Sequence, residues 1–331
     1  MYNSSSKWAI FYDRLGEKAR SLVDPSTGML SPRYSEDRRC PVCESGSFVA
    51  RFVKDGFRYV TCDSCGLVYI NPQLTQDALN RVYNDKELRL FFMNEILLAS
   101  GESDQRKEFE SRIKTIATYT SNSYPRLIDI GCAAGNFMMI ANDHGFAVEG
   151  IELDKLYVDY ATATRGLVVH KQPLWELDIH EGAFDVVTMW DILEHLPDPM
   201  RTLSEAARVL SHGGILAFTT INHECINQRM LKDRWRYWMP PDHICSFTPE
   251  ILKSMLGKAG FSIVHVKHTY MFEIIEENYL RFLSLSADND TAAKVSNKVK
   301  KGASFVLGRI AQGIFETLKS GDIIMVIARK I

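Results

Sequence analysis

Two cysteine pairs, Cys40-Pro-Val-Cys43 and Cys62-Asp-Ser-Cys65, stand eighteen residues apart. Two residues between ligands let the backbone curl around one ion, and Gly66 suits the tight turn after the second pair. Four thiolates would close a tetrahedral shell with no position left for water, so the spacing predicts one structural zinc rather than a catalytic metal. Iron uses similar cysteine chemistry and stands as the alternative. Seven cysteines is an odd number, which in a reducing compartment points to metal rather than disulfides. From Arg33 to Ile70 there are six basic and five acidic residues, too balanced for a dedicated nucleic-acid finger.

A second constellation is Leu127-Ile128-Asp129-Ile130-Gly131-Cys132-Ala133-Ala134-Gly135-Asn136-Phe137, an apolar strand running through a glycine turn into a helix. Gly131 and Gly135 allow a hollow in which a ligand lies against the main chain. A dinucleotide fingerprint would want glycines at 131, 133 and 136, where this chain has Ala133 and Asn136, so NAD and FAD are disfavoured. Glu152 ends the next apolar strand, where an acid can accept the hydroxyl hydrogens of a ribose. Cys132 has no basic neighbour in sequence and reads as packing rather than a nucleophile.

With Trp190-Asp191-Ile192-Leu193-Glu194-His195-Leu196-Pro197-Asp198-Pro199 following a further strand, these motifs resemble the class I S-adenosylmethionine-dependent methyltransferases. The likeness covers about Pro125 to His268 plus the final strand. It implies S-adenosyl-L-methionine as cofactor, with Asp129, Gly131, Cys132, Ala133, Gly135 and Phe137 toward the methionine part. It further implies Glu152 and Leu153 at the ribose, Leu174 near the adenine, and Trp190 and Asp191 on the sulfonium side. Ala133 departs from the usual middle glycine, and Gln172-Pro173-Leu174 lacks the acid often found there. His195 is expected to fix its loop rather than to act chemically.

Transfer to a hydroxyl needs a base. The loop after the fifth strand gathers His223, Trp235, Tyr237, Trp238 and His243 beside Arg234 and Arg236. His243 is the candidate base and His223 the reserve. The tryptophans could form a platform for a sugar or a flat metabolite; the competing reading is a hydrophobic plug, with His243 merely leading into the next helix. The segment Pro241-Asp242-His243-Ile244-Cys245-Ser246-Phe247-Thr248 resembles that of bacterial methyltransferases with a zinc ribbon in front, similar to sugar and natural-product enzymes. The likeness implies a hydroxyl of a sugar, nucleotide sugar or glycan as acceptor, hence a role in carbohydrate biosynthesis. An RNA-base methyltransferase and a non-catalytic cofactor-binding scaffold are the alternatives. The first is opposed by the charge balance and by the absence of an Asn/Asp-Pro-Pro-Tyr motif, the second by the presence of both Asp129 and Glu152.

These groups must be positioned by about two domains' worth of chain: 331 residues, 46% hydrophobic and 24% charged, an ordinary globular composition. A net charge of −2 gives no global field for nucleic acid. No secretory leader or membrane-spanning run is legible, so a cytoplasmic location is expected. The expected division is a lead-in at 1–37, a zinc ribbon at 38–72, a helical layer linking two domains at 73–123, and a methyltransferase domain at 124–331. Strands and helices alternate after Pro125, which predicts an α/β, Rossmann-like, doubly wound parallel sheet. A helical insertion is expected at about 271–320. Its stripe Leu307, Ile310, Ala311, Ile314, Phe315 and Leu318 beside basic residues could pack, pair with a second copy, or give weak membrane-surface contact through 304–319.

Overall fold

The computed structural model describes residues 5–83, 85–98, 102–269 and 320–331. The expected insertion and its stripe lie outside them, apart from Ser320. In chain order the principal strands are β1 (Phe48–Lys54), β2 (Phe57–Cys62), β3 (Val68–Ile70), β4 (Arg126–Ile130), β5 (Ala147–Ile151), β6 (Val169–His170), β7 (Phe184–Trp190), β8 (Leu210–Ile221), β9 (Cys245–Ser246), β10 (Phe261–Thr269) and β11 (Ile323–Lys330). The helices used below are α1 (Ser5–Arg20), α2 (Gln76–Tyr83), α3 (Lys86–Phe91), α4 (Glu102–Ala117), α5 (Asn136–Asp143), α6 (Lys155–Arg165), α7 (Pro199–Val209), α8 (Ile226–Leu231) and α9 (Pro249–Lys258).

Seven strands form one sheet in the order β6-β5-β4-β7-β8-β11-β10. The first five run parallel, while β11 is antiparallel to both of its neighbours, so the sheet is mixed rather than wholly parallel. The alternation of elements could not reveal this, because strand direction depends on where the chain re-enters the sheet. The largely apolar runs Leu127 to Ile130 in β4 and Val186 to Met189 in β7 are buried, as expected of strands covered on both faces, each with one polar residue, Asp129 and Thr188. Local signals set the helix ends: Asp154 caps α6, Asp198 with Pro199 starts α7, and Thr248 with Pro249 starts α9.

The cysteine segment forms its own antiparallel sheet, β1-β2-β3, and β9 joins it as a fourth strand through Cys245 opposite Tyr69 and Ser246 opposite Val68. The ribbon and the domain behind it are thus sewn together by main-chain pairing. A shared core lies between them: Phe57, Tyr59, Val68 and Ile70 from the ribbon, Leu15 and Ala19 from α1, and Trp235 and Trp238 from the loop after β8.

Within the helical layer expected at 73–123, the last helix packs on the sheet. Ile113 and Ile116 of α4 are fully buried with Leu127 of β4, and Phe109 meets Phe137 at 5.5 Å between ring centroids. Helix α4 therefore belongs to the sheet. Ahead of it, α3 and a π-helix at Phe92–Leu97 reach residues beside the glycine turn, Arg89 pairing with Asp154 and the Leu97 carbonyl accepting from Asn136.

Candidate functional site

Gly131, Ala133 and Gly135 all have positive φ, at 76°, 46° and 78°. A Cβ on Gly131 would stand 2.2 Å from Cδ1 of Ile192, so a larger residue there would have to push that side chain aside as well as adopt a positive φ. The turn is pinned from β5: the N–H groups of Gly131 and Cys132 both donate to the Ile151 carbonyl, at 2.8 and 3.0 Å. Glu152 accepts from the N–H of Ala133 at 3.1 Å and from that of Asp154 at 2.8 Å. Burial nevertheless raises its carboxyl above the usual range. Leu153 beside it is 59% exposed, an apolar surface that a flat base could cover.

Asp129 is buried and accepts a 2.6 Å hydrogen bond from Thr188, and burial lifts its carboxyl to about 7 against the pull of that bond and of Arg112. The Arg112 guanidinium lies 4.6 Å from the centroid of the Trp190 ring. Cys132 is packed beneath Gly150, and its thiol is raised by burial, which agrees with a packing role. Phe137 is buried against Trp190, with ring centroids 5.0 Å apart. Leu174 is only 2% exposed and its side chain belongs to the core, so a flat ligand there would meet main chain rather than that side chain. Sequence reasoning missed the cover over this turn. Asn136 donates to the Leu97 carbonyl at 2.9 Å and to Gln105 at 3.0 Å, and Arg89 pairs with Asp154.

The surroundings of the turn suit a ligand with several polar arms. Nε1 of Trp190, Nε of Arg89 and Oδ1 of Asn136 are buried around it without a hydrogen-bond partner, a state proteins rarely leave uncompensated.

Asp191 follows β7 with φ at 54°, exposed, its carboxylate accepting from Thr219 at 2.7 Å. Beyond it lies the second half of the site. A carboxylate oxygen of Glu194 and one ring nitrogen each of His195 and His243 lie within 4.8 Å of one another. Glu194 accepts from Thr220 at 2.9 Å, and burial lifts its carboxyl to about 7. Nδ1 of His195 donates to the Asp242 carbonyl at 2.8 Å and lies 3.3 Å from the Asp242 carboxylate. Burial opposes charge on that ring, but Asp242 holds it up at about 10. The same pairing overrides burial at Asp242 and holds its carboxyl at about 2. The Asp242 carboxylate thus favours the protonated form of the His195 ring, and the bond to the Asp242 carbonyl is of the loop-fixing kind expected for it.

Nδ1 of His243 lies 2.9 Å from the Tyr237 carbonyl oxygen and must carry the proton, leaving the lone pair on Nε2. Burial, and then the charge of His195, lower this ring to about 4. The reserve candidate is placed elsewhere. The His223 ring sits 6.2 Å from that of Trp238 with Nδ1 unpartnered, and burial and Arg51 lower it to about 4.

Trp235 and Trp238 are 0% and 1% exposed. Trp238 packs on Phe52 and Tyr59 of the ribbon at 5.2 and 5.1 Å, and Nε1 of Trp235 donates to Asp322 at 3.0 Å. They are the plug, not an open platform. The rings that do face the acid groups are others. The Tyr83 hydroxyl donates to Asp242 at 3.0 Å. The Tyr12 phenol of α1, stacked on Trp8, is raised by burial and then by the charge of Asp242, with Arg236 opposing. No sequence motif marks either tyrosine; each is one aromatic on an amphipathic helix.

In the ribbon, Cys40 and Cys65 stand 3.5 Å apart at sulfur, Cys43 and Cys62 3.4 Å, and all four sulfurs lie within 4.8 Å of one another. A tetrahedron with 2.3 Å bonds has edges of about 3.8 Å, so the four thiols fit one zinc ion.

Among curated proteins, the chain is similar to the ubiquinone biosynthesis O-methyltransferase of Coxiella burnetii, 28% identical over 116 residues, 34% of this chain and 50% of that protein. It is also similar to the protein of the same name from Nitrosococcus oceani, 30% identical over 132 residues, 36% of this chain and 56% of that one. The chain spans about half the length of the curated relatives it matches. Among solved structures, a SAM-dependent methyltransferase from Archaeoglobus fulgidus aligns with a TM-score of 0.47 and 19% identity, covering 68% of this chain and 94% of that one. The family profile described as a methyltransferase domain matches residues 101–266, which contain the glycine turn, Glu152, Asp191 and His243. That match takes in half of the sequence, and the chain belongs to the methyltransferase domain family.

Proposed function

We propose that the chain is an S-adenosylmethionine-dependent O-methyltransferase acting on a small molecule with an acidic hydroxyl. The cofactor supplies an electrophilic methyl group on its sulfonium. Asp129, the main chain of 131–135, Glu152 and Leu153 would hold it, with Trp190 and Asp191 beside the methyl. The observation that carries the reading is the His243 ring, one nitrogen of which lies within 4.8 Å of Glu194 and His195 while the bond from Nδ1 to Tyr237 leaves the lone pair on Nε2.

There, His243 takes the hydroxyl proton while the His195 cation stabilises the negative oxygen that forms. A ring lowered to about 4 is a weak base, so it suits a hydroxyl of phenolic acidity better than a sugar alcohol. The curated relatives are named as O-methyltransferases, which agrees with oxygen as acceptor. The sugar acceptor loses its support from Trp235 and Trp238, both of which lie in the core. No helix among the described residues is long and apolar enough to cross a membrane.

The test is incubation with methyl-labelled S-adenosylmethionine and separate panels of phenols, nucleotide sugars and tRNA. Label transferred to a phenol oxygen is the expected result. Transfer to a sugar or to tRNA, or to none of them by protein that binds S-adenosylhomocysteine, would overturn the acceptor class.

A further inference from the structure

The ribbon and the acceptor half of the site share a short main-chain ladder. The N–H of Ile70, at the end of β3, donates to the Ile244 carbonyl at 2.9 Å, and the N–H of Ile244 donates to the Glu194 carbonyl at 2.9 Å. Ile244 directly follows His243 and directly precedes β9, whose two residues pair with Val68 and Tyr69. One residue thus ties the ribbon to both members of the Glu194 and His243 pair. Upstream, the N–H of Cys62 donates to the Leu67 carbonyl, so the turn that carries Cys62 and Cys65 runs straight into β3. By contrast, the cofactor turn is tied to β5 and to the Leu97 and Gln105 cover, with no ribbon residue in those bonds.

We propose that the metal-bound ribbon is the positioning element of the acceptor half-site: through Ile70 and Ile244 it fixes the distance between the Glu194–His195 turn and His243, while the cofactor turn, which shares a core with the ribbon, takes its hydrogen bonds from elsewhere. Ile70 and Ile244 act through these groups and touch no reacting atom. The inference rests on the functional reading for its meaning, but its test needs no acceptor.

Full-length protein carrying its metal is compared with protein stripped by a chelator, using hydrogen exchange and calorimetric titration with S-adenosylhomocysteine. Stripping should speed exchange about tenfold or more in 192–196 and 242–247, leave 127–137 unchanged, and keep S-adenosylhomocysteine affinity within about twofold. Added zinc should restore slow exchange. Ile70→Pro, which removes the N–H donor while keeping all four cysteines, should loosen the same two segments with the metal retained. Unchanged exchange at 242–247 in both arms would overturn the proposal. So would equal loosening of 127–137, since the ribbon would then serve folding as a whole. Wild-type protein that fails to bind S-adenosylhomocysteine would sink the functional reading instead and leave the ladder test standing on exchange alone.

Discussion

His195 donates from Nδ1 to the main-chain carbonyl of Asp242 and faces the carboxylate of the same residue at 3.3 Å, so one residue both orients the ring and sets its charge. Asp242→Asn keeps the carbonyl and removes the charge. The ring is held above its ordinary value of about 6.5, up to about 10. The pair's contribution is therefore full below about pH 6.5 and is lost as pH rises toward 10. The variant should be less stable than wild type by about 1–3 kcal/mol near pH 6, with the gap closing by pH 10. Denaturant melts at several pH values check this, and a gap independent of pH in that range would refute the charge assignment.

His243→Ala should lower turnover about 10²–10⁴-fold with cofactor affinity nearly intact. With His243 at about 4 and His195 at about 10, both are in the working state between those limits. The wild-type rate should change near pH 7, where Glu194 titrates beside both rings, and fall on the alkaline side as His195 loses its proton. Steady-state rates across that range decide the point; undiminished turnover in the variant would make His243 structural.

Glu152→Ala should weaken S-adenosylmethionine binding by about 1–3 kcal/mol, the scale of one charged hydrogen-bond partner. Because Glu152 also accepts from Ala133, the glycine turn should loosen in the same variant. Calorimetric titration measures the first effect and hydrogen exchange at 131–135 the second. Unchanged affinity in folded protein would remove Glu152 from the ribose.

Purified protein should carry one zinc ion per chain, and Cys62→Ser should lose it and destabilise the ribbon, since metal binding supplies folding energy to so small a module. Elemental analysis and thermal melts read both effects. Iron in place of zinc would refute the assignment.

Much of this was legible locally. The strand from Arg126 to Ile130, the helix from Lys155 to Arg165 and the strand from Phe184 to Trp190 follow directly from apolar runs bounded by caps and turns. So did the cysteine cluster, whose spacing alone brings the sulfurs together. The rest depends on pairings across long stretches of chain. Nothing around Cys245 announces that it will lie opposite Tyr69, nor does Tyr83 signal that it will donate to Asp242. Two tryptophans on one loop look alike whether they line a site or fill a core; their partners, Phe52 and Tyr59 for one and Asp322 for the other, settle it.

The antiparallel pairing of β10 with β11 has a further consequence for how this sheet can vary. Thr269 and Ile323 are direct neighbours in register, so the chain leaves and re-enters the sheet at one spot. Whatever lies between them closes a loop whose entropic penalty grows only with the logarithm of its length. The sheet edge is thus a docking port in the genetic sense: a short hairpin or a whole added module can be spliced in there without disturbing the register of β11 against β8.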